Sequence, residues 1–131
     1  MLKKGFKLFA ALLVVVVAWY VWFVHINYRF ETISDEKVYK SSAIPPEKID
    51  DFIINHNIRT VIDLRDPGVQ DRLNPAKQAE IDAEAEAVAQ IDGVRHINIA
   101  SRQVPTGETL RQFFEVLDDE ESYPVLIHCH H

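Results

Sequence analysis

The sequence predicts an α/β fold, a three-layer sandwich in which helices cover both faces of a mostly parallel central sheet. Short apolar runs alternate with helical patterns from residue 38 to residue 129, an order typical of parallel strands joined by right-handed crossovers. The last run, residues 125–127, is apolar throughout, as in a strand that is buried on both faces. A charge-free segment near the N-terminus predicts one transmembrane helix ahead of the domain.

The N-terminal apolar segment, residues 8–24, contains no charged or strongly polar side chain. Its length is near the lower end of the roughly 17–25 residues that span a bilayer. Aromatic residues gather at its far end, as they do at a membrane interface, and a lysine cluster precedes it. A cleaved signal peptide is the alternative, but no small-residue cleavage site follows the apolar run. The lysine cluster that precedes the apolar run consists of Lys3, Lys4 and Lys7.

These features predict a single-pass membrane protein whose N-terminus is cytoplasmic and whose domain is extracytoplasmic, periplasmic in a Gram-negative cell, because lysines favour the cytoplasmic side. The membrane is thus an expected partner, through the N-terminal helix. The expected organisation is a cytoplasmic N-terminus (1–7), a transmembrane anchor (8–24), a linker (25–36) and the N-terminal part of a catalytic domain (37–131).

Charge is distributed unevenly along the chain. Residues 1–30 hold four basic side chains and no acidic ones, whereas residues 31–131 hold 10 basic and 20 acidic ones. A domain this acidic is a poor general binder of nucleic acid, so we expect no nucleic-acid partner. The single cysteine excludes an internal disulfide, and outside the cytoplasm it is best explained as a nucleophile. A small buried apolar residue is the alternative.

The first half of the domain is predicted as strand, helix, strand. Residues 38–42 form a short strand, and the proline pair at 45–46 favours a helix start. Ile49, Phe52 and Ile53 then line one helical face. Asn57 is a candidate left-handed stop, and residues 60–64 form a buried strand.

The second half repeats this order. A helix is predicted from Asn74–Pro75 to about Gln90, and its acidic residues, including Glu84, are interpreted as a solvated face rather than a metal site. Residues 94–100 return as a strand, in which His96 is interpreted as structural. Thr106 is the predicted N-cap of a helix whose apolar residues repeat at helical spacing, and residues 124–129 form the last strand.

The last strand delivers Cys129, flanked by His128 and His130, to its carboxyl end. Ligands of open parallel sheets bind beyond the carboxyl ends of the strands. A loop of backbone N–H groups after a strand favours a thiolate and would bind a phosphate dianion equally well. Phosphoryl transfer to Cys129 is therefore one natural interpretation.

Three segments in order resemble the cysteine-dependent protein tyrosine and dual-specificity phosphatases, most closely the small bacterial branch. Residues 125–131 (VLIHCHH) resemble the start of the family's signature loop, which is His-Cys, five residues, then Arg, usually with a Gly midway. Residues 38–42 (VYKSS) with the following prolines resemble its opening strand, and residues 58–65 (IRTVIDLR) its second strand. The similarity spans roughly residues 30–131.

The resemblance implies a phosphotyrosine phosphatase-like fold and a phosphoric monoester hydrolase with Cys129 as nucleophile and a cysteinyl-phosphate intermediate. It assigns His128 to the catalytic site, and Cys129, His130 and His131 to the phosphate-binding loop. The Gly and Arg of the loop would fall beyond His131, so the chain is expected to be a truncated, inactive fragment that lacks the C-terminal helices.

The family commonly uses an Asp on an upstream loop as general acid. The corresponding loop, residues 101–108, contains no Asp, and Glu108 is its sole carboxylate. Glu108 is therefore the candidate acid, although a first-turn carboxylate that complements the helix dipole is the simpler explanation.

Alternatives remain open. A rhodanese-type sulfurtransferase would use Cys129 as persulfide carrier, and a non-catalytic, membrane-anchored phosphate-binding module would need no turnover. A metal site at residues 128–131 is disfavoured, because consecutive residues do not easily surround one tetrahedral ion. We expect no metal and no cofactor, and a substrate that is a phosphorylated protein or a small phosphorylated molecule.

Overall fold

The structure, a computed structural model, describes residues 2–68, 72, 75–102 and 104–130. Its centre is a five-stranded sheet in the order β1-β2-β5-β3-β4. β2, β5, β3 and β4 are parallel, and β1 pairs antiparallel with β2 at one edge. The strands are β1 (Glu31–Ser34), β2 (Val38–Ser41), β3 (Thr60–Asp63), β4 (Arg95–Asn98) and β5 (Val125–His128).

Helices cover both faces of this sheet, which confirms the predicted α/β sandwich. Helices α2 and α3 lie on one face, where Ile53 and Val88 pack with Leu126 of β5 in one buried cluster. Helix α4 lies on the other, where Phe113 packs against a cluster that contains Val125. The helices are α1 (Leu2–Val21), α2 (Ile49–Asn55), α3 (Gln78–Ala89) and α4 (Gly107–Leu117), with a short 3₁₀ turn at Glu120–Ser122.

The four parallel strands end in register. Ser41 of β2 and Asp63 of β3 both pair with His128 of β5, and Asp63 also pairs with Asn98 of β4. This row defines the carboxyl edge of the sheet. Because side chains alternate along a strand, His128 shares the face of Leu126, the face that α2 and α3 cover.

The N-terminal helix stands apart from the sheet. None of the twenty residues of α1 is buried, and a π-helical turn, Trp22–Ile26, follows it directly. Together they form a helix, Leu2–Ile26, with a mean hydropathy of 2.3 over its most apolar window, long and apolar enough to cross a membrane.

Residues 25–36, expected to be a linker, hold strand β1 instead. The physical reason is an aromatic cluster that binds this segment to the core: the Phe30 ring lies 5.3 Å from that of Tyr39 and 4.4 Å from that of His56. Tyr28 also packs edge-on against Phe52 at 6.0 Å. β1 carries no strong apolar alternation, and all four of its residues are exposed, so the sequence pattern did not reveal it.

The remaining elements follow the sequence closely. Asn57 has a φ of 53°, the predicted left-handed stop after α2. The Thr106 hydroxyl accepts the Thr109 N–H at 3.2 Å, the predicted N-cap of α4. α3 begins at Gln78, three residues after Pro75, and Asn74 lies outside the described residues.

Candidate active site

Cys129 is half-buried immediately after β5, at the carboxyl edge of the sheet. The preceding residue, His128, is 2% exposed and held on both sides of its ring. Its Nε2 donates to the Glu84 carboxylate at 2.7 Å, and its Nδ1 donates to the Cys129 carbonyl oxygen at 3.0 Å. Because a carbonyl oxygen can only accept, Nδ1 carries a proton, and with Glu84 ionised Nε2 carries one as well, which makes His128 an imidazolium cation.

Glu84 is the centre of this arrangement, and its location corrects the sequence interpretation. It was expected on a solvated face of α3, but it is 2% exposed and points into the sheet. One carboxylate oxygen accepts from His128 and from His96, each at 2.7 Å. The neighbouring acids Glu80, Asp82 and Glu86 are exposed as predicted. Spacing explains the exception, because Ile81, Glu84 and Val88 form the buried stripe of α3.

Asp63, the last residue of β3, and Arg65, two residues after it, complete the cluster. The Arg65 guanidinium donates through Nε and Nη2 to the Asp63 carboxylate at 2.9 and 2.7 Å, a two-point contact between residues that are 4% and 0% exposed. The same Nη2 lies 3.6 Å from Glu84. The Asn98 side-chain amide donates to the backbone oxygens of Asp63 and Arg65, both at 2.9 Å, which fixes the end of β3.

These contacts shift the ionisation of every acid and imidazole in the cluster. Burial alone would lower the pKa of His96, but the carboxylates of Asp63 and Glu84 outweigh it and raise that pKa to about 9. Burial opposes the charged form of His128 too, and Glu84 raises the pKa of that histidine. The pKa values of Asp63 and Glu84 are lowered, because bonds to the cations outweigh the effect of burial.

The ion-pair cluster consists of two acids and three basic side chains: Asp63, Glu84, Arg65, His96 and His128. With all five side chains ionised, it carries two negative and three positive charges, and so a net charge of +1 beneath the Cys129 loop. Ligand atoms of Asp63, Glu84 and His128 lie within 4.8 Å of one another, as metal ligands would. The Arg65 guanidinium bonds to one of these carboxylates and lies near the other. The group is therefore an ion-pair cluster rather than a cation site.

Glu108, the candidate general acid, lies in the first turn of α4 and is exposed. Arg111 donates two hydrogen bonds to its carboxylate, at 3.0 and 2.7 Å, and Gln112 donates a third. The hydrogen bonds from Arg111 lower the pKa of Glu108. A general acid must hold a proton, so these contacts support the simpler interpretation of Glu108 as a structural residue of the helix.

A cavity of about 380 Å³ lies beside the loop, on the α3 side of the sheet. Arg65 and Glu84 line part of it, and His130 is also in its wall. The rest of the wall comes from the turn after β2 and from α3, and it is apolar apart from Glu80: Ala43, Ile44, Pro45, Pro46, Ala79, Glu80 and Ala83. His131, predicted to belong to the phosphate-binding loop, lies outside the described residues.

The sequence placed Cys129 and His128 at the carboxyl edge of the sheet, where the structure also has them. It did not predict that Glu84, Arg65 and His96 lie together. A signal was present in the spacing of α3, because Glu84 lies three residues after Ile81 and four before Val88, at positions that face the core. A carboxylate at a core position requires a buried cationic partner, and buried charges are normally paired.

The fold is shared with known proteins of low sequence identity. A DUF442 protein of Shewanella putrefaciens CN-32 superposes with a TM-score of 0.55 at 20% identity, covering 76% of this chain and 57% of its own. The core catalytic domain of the PP-IP phosphatase Siw14 of S. cerevisiae superposes with a TM-score of 0.52 at 17% identity, covering 76% of this chain and 54% of its own. The chain thus spans little more than half of each.

No curated protein matches the chain. A family model does match it, over residues 22–131, which is most of its length and includes every strand and the whole ion-pair cluster. That family is described as a DSP-PTPase phosphatase fused to NAD⁺ kinase. The chain therefore belongs to the PTP-NADK family of DSP-PTPase phosphatases.

Proposed function

We propose that this domain is a phosphoric monoester hydrolase in which Cys129 is the nucleophile. The single observation that carries the proposal is the junction at the end of β5, where a buried, doubly hydrogen-bonded His128 precedes a half-buried cysteine at the carboxyl edge of a parallel sheet. Family membership supports the same reaction class.

In the proposed reaction the Cys129 thiolate attacks phosphorus, and the bond from phosphorus to the ester oxygen breaks as the S–P bond forms. The leaving oxygen takes a proton from a general acid, and water then attacks phosphorus to release inorganic phosphate and the thiolate. The cationic groups of the cluster beneath the loop complement a phosphate dianion. The contacts of Glu108 with Arg111 disfavour it as the acid.

His128 and His130 have different proposed roles. His128 is a positioning residue, since its ring fixes the Cys129 carbonyl and is itself fixed by Glu84. The backbone N–H groups of Cys129 and His130 would face the phosphate oxygens.

The location of the domain is also a proposal. The helix Leu2–Ile26 would anchor the chain in a membrane with residues 1–7 in the cytoplasm and the domain on the other side, since the three N-terminal lysines favour the cytoplasmic side. In the segment before Ile26 those lysines are the sole charged side chains.

The test of the nucleophile uses a chimera in which the C-terminal segment of a family member, including its loop arginine, follows His131. We expect this chimera to hydrolyse an aryl phosphate and the Cys129→Ser variant to lose that activity while it still binds tungstate. Hydrolysis that survives Cys129→Ser would refute the assignment. Transfer of sulfur from thiosulfate to cyanide by the same chimera would favour the sulfurtransferase alternative.

A further inference from the structure

The chain enters the sheet at the same edge at which β5 delivers Cys129. β1 runs antiparallel to β2, with Glu31 opposite Lys40, so the start of β1 lies at the carboxyl edge of the parallel strands. The N–H and hydroxyl groups of Ser42 both donate to the Tyr28 carbonyl oxygen, at 2.9 and 2.8 Å. The N-terminal helix therefore joins the sheet beside the candidate active site.

The lateral distance between this junction and the nucleophile is short. β1 neighbours β2, and β2 neighbours β5, so two strand spacings of about 4.8 Å separate them, or roughly 10 Å. The backbone also connects them directly, because the Ala43 N–H donates to the His130 carbonyl oxygen at 3.3 Å.

The helix projects away from the domain rather than folding back over it. No residue of α1 is buried, and Phe23 of the π-helical turn is half-buried in a cavity that Ser41 and Ser42 also line. The Arg29 N–H donates to the Phe23 carbonyl at 2.8 Å, and the Phe30 N–H donates to that of Asn27 at 2.9 Å. These bonds make the junction a folded structure without a free linker.

In a membrane this geometry sets the depth of the carboxyl edge. The apolar run ends at Val24 and the helix ends at Ile26, about 3 Å further at a helical rise of 1.5 Å per residue. Tyr28 follows in a turn with a positive φ, which the hydrogen bond from the Arg29 N–H to the Phe23 carbonyl oxygen holds against the last helical turn. The headgroup layer is roughly 5–8 Å thick on each side of the hydrocarbon core. The edge that carries Ser42 and Cys129 therefore lies at the level of the lipid headgroups.

The surroundings of the loop suit an amphiphilic molecule. In the cavity beside the loop, defined above, six of the ten lining residues are alanine, isoleucine or proline, and the others are Arg65, Glu80, Glu84 and His130. Two exposed cations lie at the junction, Arg29 and Lys48, and the Lys48 ammonium stands 5.7 Å from the centre of the Tyr28 ring. Basic residues at a membrane surface attract anionic headgroups.

We propose that the substrate of this site is the phosphate monoester of a membrane lipid, reached in the headgroup layer beside the protein's own helix. The inference rests on the proposed phosphatase function and adds the class of its substrate. A lipid phosphate already lies at the depth of Cys129, whereas a folded phosphoprotein would have to enter between the carboxyl edge and the membrane. Beneath the loop, the buried cluster with a net charge of +1 complements the phosphate.

The first experiment measures the depth of Cys129. The full chain is reconstituted in phosphatidylcholine vesicles, a bimane label is attached to this single cysteine, and quenching by headgroup-nitroxide lipids is recorded. The matched control is the labelled Cys129→Ser/Glu121→Cys double variant, whose label lies at the opposite edge, before β5 begins. We expect quenching several-fold stronger at Cys129. Equal quenching, or stronger quenching at residue 121, would overturn the proposed geometry.

The second experiment tests the ligand by protection of Cys129 from iodoacetamide, with the chimera defined above, whose added segment supplies the loop arginine, in the same vesicles. Phosphatidic acid supplies a lipid phosphate monoester, and phosphatidylglycerol at matched surface charge supplies a diester control. Tungstate, inorganic phosphate and a phosphotyrosyl peptide are the soluble probes. We expect phosphatidic acid to slow alkylation several-fold and phosphatidylglycerol to leave it unchanged.

The outcomes separate the two proposals. If tungstate protects Cys129 but phosphatidic acid does no better than phosphatidylglycerol, the phosphatase site stands and the lipid assignment fails. If the peptide protects at lower concentration than phosphatidic acid, a phosphoprotein replaces the lipid as substrate. If no phosphate or tungstate protects, the phosphatase function itself fails.

Discussion

Glu84 of α3 accepts a 2.7 Å hydrogen bond from His128 of β5, across 44 positions of the sequence. The other nitrogen of the same imidazole donates to the Cys129 carbonyl oxygen. A carboxylate on a helix therefore determines where the backbone of the candidate nucleophile lies, through one intervening ring. Glu84 is therefore a positioning residue of the site, and its substitution tests this role.

Replacing Glu84 by glutamine should destabilise the domain by roughly 2–4 kcal/mol, because two buried imidazolium groups lose their shared anion. The measurement is the midpoint of urea-induced unfolding of the full chain in non-ionic detergent, with unfolding monitored by circular dichroism. Glu86→Gln, an exposed position two residues further along α3, is the control and should change the midpoint little. Equal effects of the two substitutions would contradict a structural role for the cluster.

The stability of the domain should fall as pH rises from about 6.5 to 9. The pKa of His96 is raised from its ordinary 6.5 to about 9, and that of His128 is also raised, so their contribution is complete below 6.5 and lost as they deprotonate. From pH 6 to pH 9.5 we expect a loss of roughly 1–3 kcal/mol. Urea midpoints measured across this range check the prediction, and a flat or rising profile would refute it.

The stability of the domain should also fall at low pH, and there the carboxylates are the cause. The pKa values of Asp63 and Glu84 are lowered from 3.8 and 4.5, so their contribution is present above those values and disappears as pH falls below them. We expect maximal stability near pH 5–6.5. In the Glu84→Gln variant both limbs should become shallower, which distinguishes the cluster from other titrating groups.

Arg65→Lys should weaken the domain although it keeps the charge. The guanidinium contacts Asp63 through two nitrogens at once, and an ammonium group can make one such contact and leaves part of a buried carboxylate unsatisfied. We expect a loss of about 1–3 kcal/mol in the same urea assay. Arg111→Lys, in an exposed ion pair on α4, should change the midpoint little. A similar cost for both would show that the two-point contact contributes nothing.

Phe30→Ala should release the N-terminal junction from the sheet. The ring lies 5.2 Å from that of Phe52 and packs on Tyr39 and His56, so its removal should cost roughly 2–4 kcal/mol and loosen β1. Limited proteolysis reports on this directly, and cleavage between residues 27 and 36 should accelerate. Ile33→Ala, at a β1 position that is 58% exposed, is the control. An unchanged cleavage rate in Phe30→Ala would show that β1 is held by other contacts.

The predicted membrane orientation can be tested with reporters fused after His131. A phosphatase active only outside the cytoplasm should give signal, and a fluorescent protein that matures only in the cytoplasm should not, because three lysines precede the apolar helix. Replacing the three lysines by glutamine should mix the orientations. Signal from the cytoplasmic reporter alone in the unaltered chain would reverse the proposed topology.

The sequence was sufficient for most of the fold, because the relevant signals are local. The apolar runs of β3 and β5, the N-cap at Thr106 and the left-handed stop at Asn57 each depend on a few neighbouring residues, and each lies where it was predicted. Strand β1 was missed, because an exposed edge strand carries no apolar alternation and its anchor, Phe30, lies outside the strand itself.

Some residues of the candidate site could be predicted from the sequence and others could not. Cys129 and His128 could be placed from the end of one apolar strand, but their partners come from three other elements. Glu84, Arg65 and His96 belong to α3, to the residues after β3 and to β4, and nothing along the chain states that their side chains meet. A charged residue within the buried stripe of a helix was the signal that could have indicated the cluster.

The hydrogen-bonded junction between Tyr28 and Ser42 would determine how the anchored protein searches for its substrate. A flexible tether lets a domain sample a volume, and the reach of that tether sets an effective concentration. In this protein the connection between the helix and the sheet is fixed by hydrogen bonds. An anchored domain would therefore move only with the lateral diffusion and rotation of its helix. Encounters would then depend on the number of target molecules per unit area of bilayer, not on their concentration in the surrounding water.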